Sequence, residues 1–296
     1  MPASAPFSSN SKAQASESRS SIRPTRGSVS PPADGVEDSD FERRFGGVRR
    51  LYGAAALDRF RRAHVYVIGI GGVGAWAAEA LARSAIGRLT LIDPDHLAES
   101  NINRQIHALS DTLGQAKIEA MRARIHGINP ACEVRGVETF LDPANLGQLL
   151  AEPCDHVLDA IDNARAKSAL IVHCRGARIP LVCVGAAGGQ TDPGRIQLAD
   201  LSRTTEDPLL AKVRATLRRK HGFPREPGRK FGVECVFSTE PLRYPDAEGG
   251  VCYDRPPDAR VHGLNCAGFG SSVCVTASFG LRAAARVLDC LAARRD

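Results

Sequence analysis

The chain has 296 residues, 43% of them apolar, which is enough to bury a substantial core in one large or two modest domains. Nine cysteines are scattered with no Cys-x-x-Cys pair; this argues against a zinc knuckle and against a secreted disulfide framework, and reads as the thiols of a cytoplasmic protein. A formal charge of +6 permits a nucleic-acid partner without requiring one, because net charge speaks to association rather than to fold.

Residues 1–40 are rich in Ser with scattered Pro and Arg, hold no apolar run long enough to pack, and read as a disordered tail. They carry neither the amphipathic stripe of a transit peptide nor a secretory apolar core. Residues 41–296 read as the folded part.

The apolar run 65–68 reads as a buried strand that delivers the chain into Gly69-Ile70-Gly71-Gly72-Val73-Gly74 and an Ala-rich helix over 73–86. The next apolar run, 89–92, closes on Asp93. Such a βαβ unit is a nucleotide site: Gly69, Gly71, Gly72 and Gly74 allow a tight turn and a close backbone approach, the helix start presents N–H groups and a positive dipole end to phosphate, and Asp93 is placed for ribose hydroxyls. By itself this glycine spacing also suits an NAD-dependent oxidoreductase.

Further apolar runs at 157–160 and 181–184 read as parallel strands, and periodic segments at 117–128 and 164–177 as helices. The fold class is therefore α/β, a doubly wound, Rossmann-like, mostly parallel sheet with appended C-terminal elements: a nucleotide part over 64–185 and an acceptor side over 186–296. The polar residues beyond Asp93 favour a triphosphate. Asn101, Arg104 and Gln105 lie in one loop, Lys117 opens a helix and Asp162 closes a strand. A dinucleotide held by backbone amides has little need of two cations and a late carboxylate, whereas a triphosphate needs both. Arg104 can grip phosphate in a forked geometry, Lys117 supplies a point charge, and Asp162 can hold Mg2+, which takes only one or two carboxylates. The plainer alternative for Asp162 is a helix cap. A lysine at a helix start opposes the dipole, so Lys117 points to an anion nearby.

On the acceptor side, Lys212, Arg214, Arg218, Arg219, Lys220, Arg225, Arg229 and Lys230 stand against a single acid, Glu226. On a helix followed by a Gly/Pro-rich loop they can meet several phosphates of a folded RNA, or else form a solvated helix face. Cys235, read as a loop residue beside Gly232 and Ser238, is either a nucleophile or a packing residue. Residues 264–281 are uncharged but rich in small and polar side chains, and read as a buried loop leading into a core helix rather than a membrane span.

Residues 69–74, Asp93, Asn101, Arg104, Gln105, Lys117, Asp162 and Asn163 resemble the ATP site of the ubiquitin-activating-enzyme-like adenylyltransferases, which include the enzymes that activate sulfur-carrier proteins. A narrower resemblance spans nearly all of 42–290. It rests on Arg44-Phe45-Gly46-Gly47, the run 103–109, Gly188-Gly189-Gln190-Thr191-Asp192-Pro193 and the run 232–240. These segments resemble the bacterial tRNA threonylcarbamoyladenosine dehydratases, and the absence of the paired zinc cysteines of many adenylating relatives agrees with that branch. The resemblance implies ATP and Mg2+ as cofactors and a tRNA carrying threonylcarbamoyladenosine as substrate. It implies catalytic roles for Arg104, Lys117 and Asp162; some adenylating relatives pass the acyl group to a cysteine as a thioester, and Cys235 is the candidate for such a role here. It further implies a monovalent cation (K+ or Na+) near residues 185–190, a homodimer, and a cysteine-desulfurase or sulfur-acceptor system as a partner. Sulfur-carrier relatives send an arginine of an Arg-Tyr-x-Arg motif across the dimer. The second arginine is missing at 44–47 here, and Arg50 or Arg44 takes its place. The expected reaction is ATP-dependent cyclisation of the modified base through an acyl adenylate. Adenylation of a ubiquitin-like sulfur carrier and NAD-dependent oxidoreduction are the alternatives.

Overall fold

A computed structural model describes residues 34–246, 248–254 and 269–294. The chain divides into two compact units, 1–40 and 41–296. The described part of the first is the opening of helix α1 (Asp34–Tyr52), so the tail expected over 1–40 is helical from Asp34 onward. The last prolines before it are Pro31 and Pro32, and nothing after them denies the backbone its helical N–H groups. The rest of that tail lies outside the described residues.

The second unit is built on a seven-stranded sheet. Strands β1 (His64–Ile68), β2 (Arg88–Ile92), β3 (Glu133–Val137), β4 (His156–Asp159), β5 (Leu181–Val184), β6 (Ile196–Asp200) and β7 (Glu234–Ser238) lie in the order β3-β2-β1-β4-β5-β7-β6. Every pairing is parallel except that of β6 with β7. From β1 the chain winds outward to β3 and then returns to place β4 on the other side. The strand order therefore reverses between β1 and β4, and at such a switch point the loops leaving the strand ends part to form a crevice. Register brings Ile68 beside both Ile92 and Asp159, so those ends share one edge.

Both faces of the sheet are covered, which is why the central strands are apolar at consecutive positions. Val65, Val67, Leu89 and Leu91 face helices α3 (Gly74–Arg83), α4 (Lys117–Ile128) and α8 (Val273–Ala292), joined by α2 (Ala54–Arg62). Tyr66, Ile68 and Ile92 face α5 (Leu146–Leu149) and α6 (Ala164–Ala177), while Cys183, Cys235 and Phe237 face α6 and α7 (Pro208–Lys220). A short ribbon, β8 (Tyr244–Pro245) with β9 (Val251–Cys252), follows β7.

Helix α8 is the core helix into which the run 264–281 is expected to lead, and it begins earlier, at Val273, inside that run. Its buried face includes Val275, Phe279, Ala283 and Val287, and no described helix is long and apolar enough to cross a membrane. A Cβ on Gly280 would lie 2.4 Å from the Val73 carbonyl and 3.0 Å from Ala77 N, so the glycine is what lets α8 press against the start of α3. That contact fixes the helix end that faces the crevice. Residues 264–268 of the expected loop lie outside the described residues.

Candidate adenylation site

The loop after β1 is shaped by two close approaches. Gly69 has φ +87°, and a Cβ there would stand 2.9 Å from the Ala160 carbonyl. A Cβ on Gly74 would stand 1.8 Å from the Gly69 carbonyl, so only glycine lets α3 fold back on its own loop. Gly71 differs: a Cβ there meets nothing within 4 Å, because it points into the crevice. Val73, at the N-cap of α3, has no side-chain oxygen to satisfy the first N–H groups of the helix.

Asp93 ties this loop down. Its Oδ2 accepts the Ile70 N–H at 2.6 Å and its Oδ1 the Asp95 N–H at 2.9 Å. Burial pushes its carboxyl above the usual range, against the opposing pull of Lys117 and those two N–H groups. Lys117, buried at the start of α4, bonds Asp95 Oδ2 at 2.7 Å and lies 3.8 Å from Asp93 Oδ1. A cation at that helix start is thus held by two carboxylates, of which sequence reading found one. The missed residue, Asp95, follows Pro94, and Asp-Pro-Asp reads locally as a turn.

Arg104 lays its stem beneath Gly72, where a Cβ would come within 3.0 Å of Arg104 Cγ. Its Nη1 donates to the Ser100 carbonyl at 2.6 Å and to Asn103 Oδ1 at 2.9 Å. Trp76 Nε1 donates to the Arg104 carbonyl at 3.0 Å, and Asn101 Oδ1 accepts the Ala98 N–H at 3.1 Å. Gln105 is buried with Oε1 unpartnered at the cavity wall, the kind of orphan acceptor that a ligand donor satisfies. Asp162 is exposed in the same cavity and bonds no other described group. Asn163 performs the capping that sequence allowed for Asp162, accepting the N–H groups of Arg165 at 2.9 Å and Ala166 at 3.1 Å.

The cavity these residues line has a volume of about 1000 Å3 and is closed on its far wall by residues 185–188 and by Gly270 and Ser271, just before α8. Arg165, which no sequence motif singled out, also lines it. Behind the wall, Lys167 and Asp159 form a fully buried ion pair at 2.8 Å. Desolvation works against the Lys167 charge, but Asp159 outweighs it and holds the ammonium above its ordinary value.

Two expectations are corrected. Cys235 is not a loop residue: it sits in mid-β7, fully buried and paired in register with Cys183, and does not line the cavity. A thiol sealed between sheet and helix cannot reach an acyl group in the crevice. Arg214 and Arg218 are not wholly presented to a partner. Arg214 donates to Thr204 Oγ1, while Arg218 donates to the Pro224 carbonyl at 3.1 Å and stacks 5.2 Å from the Phe231 ring centroid. Lys212, Arg219, Lys220, Arg229 and Lys230 are exposed as expected of a cationic face, and Arg229 pairs loosely with Glu226 at 3.7 Å. Arg50 is exposed on α1 and lies outside its own chain's cavity.

The sequence profile of the ThiF family matches residues 45–293. The chain belongs to the ThiF family. Within it, the chain is 48% identical over 258 residues to the tRNA threonylcarbamoyladenosine dehydratase of Haemophilus influenzae, covering 87% of this chain and 96% of that one. It is 49% identical over 255 residues to the Escherichia coli enzyme of the same name, at 86% and 95% coverage. A ThiF relative of other function, the Escherichia coli molybdopterin-synthase adenylyltransferase, is 38% identical over only 130 residues, 44% of this chain and 51% of its own. Among solved structures, the Escherichia coli dehydratase TcdA in complex with ATP superposes with a TM-score of 0.75 at 46% identity, covering 85% of this chain and 95% of that one. Its complex with AMP gives 0.76 at 47% identity, again at 85% and 95%. The chain thus shares its fold with these dehydratase structures over most of their length.

Proposed function

We propose that this protein is an ATP-dependent tRNA threonylcarbamoyladenosine dehydratase, a ligase-type enzyme that forms AMP and pyrophosphate. The observation that carries the reading is the convergence of an uncapped helix start, Lys117, Arg104 and the unengaged Asp162 on one crevice, in a chain that matches dehydratases along nearly their whole length. The adenine nucleotide lies along the glycine loop with its phosphates at the start of α3. Asp93 both fixes the loop and faces the ribose. Arg104 and Lys117 neutralise the phosphates; their present partners, a backbone carbonyl, Asn103 and Asp95, hold them ready at little reorganisation cost.

The threonyl carboxylate of the modified adenosine attacks the α-phosphorus, and the bond to the bridging oxygen breaks to expel pyrophosphate. A carboxylate is a poor electrophile because its leaving group would be oxide; the acyl adenylate carries AMP as its leaving group instead. A carbamoyl heteroatom of the same molecule then attacks the acyl carbon, losing its proton as AMP departs. Because the nucleophile is tethered, the second step avoids the entropy of an encounter.

Magnesium fits this site through one carboxylate. Asp162 is exposed and unengaged, and among the described residues no three acidic, His or Cys groups gather as a protein cage; that suits an ion held by one carboxylate, phosphate oxygens and water. There the ion would neutralise charge on the phosphates. A homodimer in which Arg50 reaches the partner's nucleotide belongs to the same reading. Arg44 is already engaged with the Ile128 carbonyl at 3.3 Å, which favours Arg50 for that role. A K+ or Na+ ion near residues 185–190 and a sulfur-acceptor partner are supported by the resemblance alone.

Mass spectrometry of nucleosides tests the proposal. Modified tRNA incubated with ATP and this protein should yield threonylcarbamoyladenosine lighter by one water, with pyrophosphate released only when modified tRNA is present. Protein that binds ATP yet leaves the nucleoside mass unchanged refutes it. Pyrophosphate release driven by a ubiquitin-like carrier protein would favour the sulfur-carrier reading.

A further inference from the structure

A smaller cavity, of about 400 Å3, lies at the start of α7 and is lined by Glu206, Asp207, Arg214, Leu242, Tyr244 and Tyr253. We propose that it binds an unpaired nucleobase of the RNA substrate, flanking the modified adenosine and stacked on Tyr253. The inference rests on the tRNA reading above and deepens it.

Position is the first argument. The cavity backs onto the nucleotide site across a single turn. Asp207, in its lining, accepts the Ala186 N–H at 2.9 Å, and Ala186 lines the nucleotide cavity. On the other side of the turn, Arg243 N donates to the Gly189 carbonyl at 2.9 Å, next to Gly188 in the nucleotide cavity. The two cavities thus share that turn as a wall, and the neighbour of a modified base in the first is the group proposed for the second. The cationic face of α7 begins at the same place, since Ala211 and Arg214 line the cavity and the exposed Lys212 lies between them in sequence.

Side-chain chemistry is the second. Tyr253 is 63% exposed, which is costly for a large ring unless something stacks on it. The Arg243 guanidinium lies 5.8 Å from its ring centroid, which leaves the opposite ring face for a base. Tyr244 packs against Phe269 at 5.2 Å and gives the cavity a fixed aromatic side. At the rim, Glu206 is held at φ +53°, a strained setting for a residue with a side chain, and its exposed carboxylate is an acceptor for an exocyclic amine. Arg214, fixed by Thr204 Oγ1, offers a donor to a ring nitrogen or a base carbonyl. An aromatic platform with one acceptor and one donor is how proteins read splayed-out, single-stranded RNA bases.

The test uses the full-length protein and its Tyr253→Ala, Tyr253→Trp and Glu206→Gln variants. Tyr253→Ala should raise KM for modified tRNA by about tenfold to a hundredfold, the usual effect of losing one stacked base, while the affinity for ATP stays unchanged. Tyr253→Trp should restore it, and Glu206→Gln should raise KM less. In a second measurement, an anticodon stem-loop carrying 2-aminopurine beside the modified adenosine should be quenched by the wild type and not by Tyr253→Ala. Equal KM values and equal quenching for wild type and Tyr253→Ala overturn the inference, as does competition for the cavity by a carrier-protein peptide instead of RNA. If the wild type dehydrates no tRNA, the functional reading fails, and the quenching measurement still decides whether this cavity takes a base.

Discussion

Asp207 Oδ2 accepts the backbone N–H of Ala186 at 2.9 Å, tying the first residue before α7 to the turn that walls the nucleotide cavity. The other oxygen caps the helix by accepting the Leu210 N–H, also at 2.9 Å. The fit admits no side chain at the facing position, since a Cβ on Gly185 would stand 1.8 Å from Asp207 Oδ2. Burial pushes the Asp207 carboxyl up, opposed by its N–H donors and by Lys167 behind it. The cationic helix and the nucleotide wall thus share one side chain.

Replacing Asp207 by Ala removes a helix cap and leaves the half-buried Ala186 N–H without its partner. The two losses are worth roughly 1 kcal/mol and 1–3 kcal/mol, so a total of about 2–4 kcal/mol is expected. Urea unfolding measures it. A loss below about 0.5 kcal/mol would mean that the turn finds another acceptor and that the link is not structural.

The glycine loop makes a sharper prediction because its glycines serve different ends. Gly71→Ala adds a methyl to open space, so the unliganded protein should unfold within about 0.5 kcal/mol of wild type while losing most ATP affinity, since the methyl occupies the phosphates' place. Gly74→Ala drives a methyl into the Gly69 carbonyl and should lower stability and ATP binding together. Paired unfolding and ATP-binding titrations distinguish the two. Wild-type ATP affinity in Gly71→Ala would place the phosphates elsewhere.

Asp162→Asn keeps the shape of the cavity edge and removes its charge. Pyrophosphate release should fall about 100-fold to 1000-fold, the scale seen when one preorganised electrostatic contact is lost, with the Mg2+ requirement shifted to higher concentration. Lys117→Met should cost as much and also leave Asp95 unpaired. Asp162→Asn with normal turnover would return this residue to the mere strand-end role that the capping by Asn163 leaves open to it.

Why some of this was legible in sequence and some was not comes down to how local each signal is. Strands β1, β2, β4 and β5 are covered on both faces, so their apolar runs stand out, and α4 and α6 were read at their observed bounds because their periodic faces begin and end at turn residues. Strand β3 was missed: it pairs only with β2 at the sheet edge and carries Glu133 and Arg135, as edge strands often do. Gly71, Asp93, Arg104, Lys117 and Asp162 were found because each stands at a strand end, loop or helix start whose local pattern is plain, and the sheet brings those ends to one crevice. Cys235 was misplaced because Gly232 and Ser238 suggested a loop, whereas its setting comes from pairing with Cys183, more than fifty residues away. The Asp207-Pro208 pair signals a helix start, but nothing local reveals that its carboxylate also holds Ala186.

Stability should fall in mild acid. His107 is buried with both ring nitrogens unpartnered, and its pKa is lowered to about 4 by burial and then by Lys117 and Arg124. His156 is lowered to about 4 as well, chiefly by burial. Between pH 4 and 6.5 these two histidines bind more protons in the unfolded chain than in the folded one, so their contribution to stability rises with pH across that window and is lost as pH falls through it. Each histidine contributes on the order of 3 kcal/mol at most. His107→Leu should flatten the dependence between pH 6.5 and 4 in denaturant unfolding; an unchanged slope would show that His107 reaches solvent when protonated.

Salt dependence separates the cations of α7 that meet RNA from those that hold the fold. Arg219 and Lys220 are exposed at the end of α7, whereas Arg218 anchors the following loop through Pro224 and Phe231. Each phosphate contact removed should lower the slope of log affinity against log salt by about 0.7–0.9, so the double variant Arg219→Ala/Lys220→Ala should flatten it by roughly 1.5 with stability unchanged. Arg218→Ala should instead cost stability, because the guanidinium leaves both a carbonyl and a ring face bare. Fluorescence titration of modified tRNA at several salt concentrations gives the slopes. A slope identical to wild type in the double variant would mean that α7 presents a solvated charged face and that the tRNA backbone lies elsewhere on the protein.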